Sequence, residues 1–111
     1  MTLANIIRDD FLSLFDTERI IDSHAHVVQY SITSADGLVH RVYIDPSTQL
    51  VGLTMSAPAG SAMNITINKI VKITCHRDEP VAKFCFYQEN RSEPIAEFVV
   101  KPSIYIFANA E

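Results

Sequence analysis

From Ile65 onward the chain alternates, with Ile65, Ile67, Val71, Ile73 and Cys75 apolar and Thr66, Asn68, Lys72, Thr74 and His76 polar. A period of two marks a strand with one buried face. Ala82, Phe84 and Phe86 repeat the pattern after Arg77-Asp78-Glu79-Pro80, a stretch with the length and chemistry of a tight turn, so a hairpin is predicted. A four-residue loop sets Cys75 against Ala82 and Ile73 against Phe84 on the apolar side, and Cys85 against Lys72 on the other. Thiols on opposite faces of one hairpin cannot bond, so both cysteines are expected to be free. The alternation slips phase near Lys69 and Ile70, which predicts a bulge or kink there.

Upstream, Val28, Tyr30 and Ile32 share a face, and a three-residue loop Ala35-Asp36-Gly37 sets Ile32 beside His40, Tyr30 beside Val42 and Val28 beside Ile44. The turn at Asp45-Pro46-Ser47-Thr48 then places Val42 opposite Val51, His40 opposite Leu53 and Leu38 opposite Met55. Downstream, pairing Phe84 with Phe98 and Phe86 with Ala96 keeps the inner face apolar through Lys101, and Ser103 to Phe107 forms a terminal edge segment. The period changes at the start of the chain. Leu3, Ile7, Phe11 and Phe15, reinforced by Ile6 and Leu14, recur every three to four positions and predict a helix over about residues 2–16 with Thr2 as its N-cap. The expected fold class is α+β: an N-terminal helix packed on a six-stranded antiparallel β-meander, about residues 20–107, forming a strongly curved sheet or a partly closed barrel. The chain, 1–111, is expected to be a single domain.

Composition narrows the function classes. Apolar residues make up 48% and charged residues 20%, the balance of a folded protein. A net charge of -4, with nine basic residues scattered along the chain, argues against a nucleic-acid partner, which needs clustered Lys and Arg. The acidic polar side of the helix argues against a membrane surface, and no signal-like or spanning apolar run occurs, so a cytoplasmic location is expected. Glycine-rich phosphate loops, a nucleophile elbow and Cys-x-x-Cys are all missing, which leans the reading away from an enzyme.

Three groups of residues carry candidate chemistry. If Ile20 to Thr33 is one strand, Asp22, His24 and His26 point to one side and can approach a divalent metal ion. The octapeptide Ile20-Ile21-Asp22-Ser23-His24-Ala25-His26-Val27 resembles the His-x-His motif of the amidohydrolase superfamily, metal-dependent hydrolases on a (β/α)₈ barrel; the resemblance implies His24 and His26 as metal ligands. It covers eight of 111 residues, and the chain is far shorter than the roughly 250 residues of such a barrel.

His40 lies among Leu38, Val42, Ile32 and Leu53, where a histidine is either a hydrogen-bonded core residue or a group facing a ligand. The segment Ala35 to Tyr43 resembles the Asp-x-x-Gly-x-x-x-His-Lys hairpins of haem-utilisation carrier proteins, with a different spacing. That resemblance implies a carrier of haem or another small apolar ligand in a pocket between helix and sheet, with His40 and Tyr30 facing it. Finally, the face opposite the core includes Val39, Tyr43, Val81, Tyr87, Ile95 and Val99. A sheet facing water alone is more uniformly polar. The leading expectation is therefore a small non-enzymatic binding or assembly module that pairs with a second copy, as a homodimer, or with a partner protein through this face. The ligand carrier and the metal-dependent hydrolase follow as alternatives.

Overall fold

The alternating segments build two sheets. In a computed structural model, which describes residues 3–60 and 62–108 and side chains from Arg8 onward, one helix precedes the strands. Helix α1 (Leu3–Leu14) leads into β1 (Thr17–Asp22), β2 (Val27–Thr33), β3 (Val39–Asp45), β4 (Leu50–Ser56) and β5 (Ala62–Ile67), an antiparallel sheet with its strands in chain order. The second antiparallel sheet is β6 (Ile70–Asp78), β7 (Val81–Gln88), β8 (Ala96–Lys101) and β9 (Tyr105–Ala108). The expected α+β class with one six-stranded sheet is thus corrected: the protein is mostly β, and neither sheet closes into a barrel. Thr2, the expected N-cap, and the side chains of Leu3, Ile6 and Ile7 lie outside the described residues. Among the described residues no helix is long and apolar enough to cross a membrane.

The phase slip near Lys69 is where the chain leaves one sheet for the other. Lys69 adopts φ +61°, in the left-handed region, so the strand direction breaks there. Ile67 and Ile70, three positions apart, can then both enter the shared core. The crossing is pinned by the Gln88 side-chain amide donating to the Asn68 carbonyl at 2.9 Å and by the Ile70 amide donating to the Gln49 carbonyl at 2.9 Å. Apolar alternation is the same whether a strand continues its own sheet or crosses to the facing one, which explains the miscounted sheets.

Side-chain faces survived where registers did not. The β2–β3 pairs Val28–Ile44, Tyr30–Val42 and Ile32–His40 form as the turn chemistry predicts. In β3–β4, His40 faces Met55 instead of Leu53, and in β6–β7, Cys75 faces Phe84 instead of Ala82. Both are shifts of two residues, which preserve the buried face. The β6–β7 turn is tighter than expected, closing at Asp78–Val81 around Glu79-Pro80, and the β3–β4 loop runs from Pro46 to Gln49. Cys75 and Cys85 are free thiols.

One core joins all three parts of the molecule. Phe11 on α1 is fully buried between Tyr30 of β2 and Phe84 of β7, with ring centroids 4.5 and 4.0 Å away and both rings nearly parallel to its own. Phe15, at the end of the same helix, lies against Phe98 of β8 at 5.2 Å. Arg77 of β6 reaches back to Asp10 at 3.1 Å and to the Ser13 hydroxyl, tying the polar side of α1 to the second sheet.

Candidate cleft at His40

His40 faces inward because β3 alternates: His40, Val42 and Ile44 are buried while Arg41 and Tyr43 are partly exposed. It stands one row past Tyr30 and Val42, beyond the aromatic packing around Phe11. Its ring meets Phe98 edge-on, with centroids 6.1 Å apart and planes at 89°. Only 2% of the residue is exposed, and Nδ1 has no hydrogen-bond partner. Burial pushes the imidazole pKa below its ordinary value, opposed by the Asp36 carboxylate, so the ring is neutral near pH 7. A buried ring nitrogen without a partner costs about 1–3 kcal/mol.

His40 stands in the wall of an open space. A cleft of about 570 Å³ runs between the β2–β3 turn and the start of β9, walled by Asp36, His40, Met55, Val100 and Ile104 among others. A second hollow of about 220 Å³ shares His40, Met55 and Ile104 with it and adds Met63, Tyr105 and Ile106. The turn at its rim is firmly built. The Gly37 amide donates to the Ser34 carbonyl and the Ser34 amide to the Leu38 carbonyl, both at 2.9 Å. Gly37 takes φ +86°, which an L side chain rarely adopts. The Ser34 hydroxyl and the Leu38 amide both donate to Asp36, holding its carboxyl below the usual carboxylate range.

Tyr30 is not part of this cleft. Its hydroxyl donates to Glu18 Oε2 at 2.9 Å, and Glu18 takes a two-point ion pair from Arg8 at 2.7 and 2.8 Å. Burial, and then the bond to Glu18, push the phenol pKa well up. Tyr30 lines a separate hollow of about 250 Å³, with Arg8, Glu18 and His26, whose charges are already matched. The space expected between helix and sheet is filled by Phe11 and Phe15.

The strand premise behind the metal ligands is overturned. Asp22 ends β1, and 23–26 form the turn to β2. Asp22 Oδ1 accepts the backbone amides of His24 at 3.0 Å and Ala25 at 3.2 Å, and His26 takes φ +59°. The short side chain that seemed a ligand shapes the turn instead. Among the described residues no group of three His, Cys, Asp or Glu side chains is placed to hold a metal ion.

The six expected interface residues do not share one surface. Val39 and Tyr43 project from the outer face of the first sheet, Val81, Tyr87 and Val99 from that of the second, and Ile95 is buried in the core. Sequence reasoning missed Met55 and Met63 beside His40. A four-residue β3–β4 loop that starts one residue later than expected shifts the register by two and brings Met55 opposite His40, and the β4–β5 pairing then adds Met63. The chain matches no family model, no curated protein and no solved structure.

Proposed function

We propose that the protein is a small carrier that binds, and does not transform, a largely apolar ligand in the cleft at His40. The observation that carries this reading is His40, buried with an Nδ1 that has no partner, in the wall of a cleft of roughly 570 Å³ that Leu38, Met55, Val100 and Ile104 also line. A neutral imidazole supplies one directional contact, the Val100 and Ile104 side supplies apolar area, and no Lys or Arg stands among the lining residues to select an anion. Haem belongs to the class to be tested, since a neutral histidine is a common axial ligand.

Titration with the neutral dye Nile red, followed by competition with haem, tests it. One saturable site, weakened by His40→Leu, is expected. Failure of both probes to saturate a site would remove the reading.

Self-association is a second reading, favoured by one observation. Tyr105 and Phe107, 44% and 56% exposed, contact each other edge-on at 5.2 Å on the outer face of β9, which pairs on one side only, with β8. An edge strand with exposed aromatics is a surface for a second copy of the same strand.

A further inference from the structure

We infer that the row His40, Met55 and Met63 forms a binding site for copper(I). The inference rests on His40 facing a ligand, as proposed above, and adds a soft metal ion in the smaller hollow beside the cleft.

The geometry begins with register. His40 pairs with Met55 and Met55 with Met63, so the three occupy one row across β3, β4 and β5. They share the inward side of the sheet and line the same 220 Å³ hollow. Adjacent strands are about 4.8 Å apart, so the outer two backbones of the row are separated by about 10 Å with Met55 midway. An imidazole from one side, a flexible thioether from the other and two metal bonds of about 2 Å span that gap. Met55, midway along the row, would be the third donor.

The donor set selects the ion. Thioether sulfur is a poor partner for hard cations and a good one for copper(I), and imidazole suits copper as well. A bulk-filling role explains the row less well. Met63 is 44% exposed and Met55 is half-buried, so neither plugs a core void, while His40 between them and Phe98 is buried with a lone nitrogen. Neither hollow has Lys or Arg in its lining, and Asp36 stands in the wall of the larger one, so no fixed positive charge opposes a cation. Haem held by His40 and Met55 together is excluded by their position: neighbours on one face cannot bind a haem iron from opposite sides.

Silver(I), a closed-shell stand-in for copper(I), provides a readout at the atoms themselves. One equivalent should shift the methyl resonances of Met55 and Met63 and the ring resonances of His40, while zinc leaves the methionines unmoved. Anaerobic transfer of copper(I) from its bicinchoninate complex should reach one equivalent, and Met55→Leu with Met63→Leu, volume-conserving changes, should weaken it at least about tenfold, or about 1.4 kcal/mol. A Cys75→Ala, Cys85→Ala variant should keep the methionine shifts. Shifts confined to the surroundings of the two cysteines, or copper uptake indifferent to the methionine pair, would overturn the inference. Nile red binding that survives in a protein showing no methionine shift would sink the copper site alone and leave the carrier reading standing.

Discussion

The ring of Phe11 lies parallel to that of Phe84 with centroids 4.0 Å apart, and this contact joins the helix to the second sheet while the other face of Phe11 covers Tyr30 of the first. Three structural units meet on one side chain. Phe11→Ala removes the whole contact from a fully buried site and should cost about 3–5 kcal/mol, with Phe11→Leu costing less. Urea unfolding followed by tyrosine fluorescence and by circular dichroism checks this. Coincident loss in both signals is expected, because both sheets lean on the same ring.

Faces of strands were readable from the sequence, and the number of sheets was not. Tyr30, Val42, Phe84 and Phe98 point inward as alternation dictates, since parity resists register shifts of two. The break at Lys69 was legible as a slip of phase, but its consequence was not, since alternation does not say whether the next strand stays in its own sheet or crosses to the facing one. His40 was legible as a singular residue. Its company was not: Tyr30 shares its face but turns its hydroxyl to Glu18, and Met55 depended on where the four-residue β3–β4 loop starts, a one-residue displacement that moves the register by two.

Glu18 makes acid stability predictable. Its carboxyl is held below the ordinary range first by the hydrogen bonds from Arg8, aided by the Tyr30 hydroxyl and opposed by burial. With the folded pKa lowered, the stabilisation is complete above the unfolded value of about 4.3 and is lost as pH falls through the folded one. Chemical denaturation between neutral pH and strongly acid pH should show that decline, and Glu18→Gln should flatten it. Tyr30→Phe leaves the Arg8 pair in place and should cost about 0.5–1.5 kcal/mol at neutral pH.

Replacing His40 by leucine should separate stability from binding. Leucine is close in size and has no nitrogen to leave without a partner, so His40→Leu should stabilise the fold by about 1 kcal/mol while weakening ligand binding in the cleft. The pH dependence has a definite sign. Burial lowers the folded pKa of His40, so stability is full above the unfolded value of about 6.5 and falls as pH drops through the lower folded value. The leucine variant should lose that mild-acid component and keep the Glu18 component at lower pH. A loss of stability in His40→Leu at neutral pH would mean that Nδ1 is satisfied in solution by a group intrinsic to the fold.

The outer face of the second sheet gives the assembly reading a sharp test. Phe107 faces Glu97 across β8–β9 and Tyr105 faces Val99, so the exposed aromatic pair continues an outer row that includes the Lys83–Glu97 ion pair at 2.9 Å. Pairing β9 with the β9 of a second copy would satisfy the free edge and bury both aromatics in a two-fold contact. Sedimentation velocity over a concentration series should then report a monomer–dimer equilibrium. Phe107→Lys, at a position already 56% exposed, should shift it to monomer with a change in unfolding free energy of no more than about 0.5 kcal/mol per chain, because the side chain's ring contact inside the protomer is with the likewise exposed Tyr105. A wild-type protein that stays monomeric throughout the series would remove self-association and leave the His40 cleft as the surviving proposal.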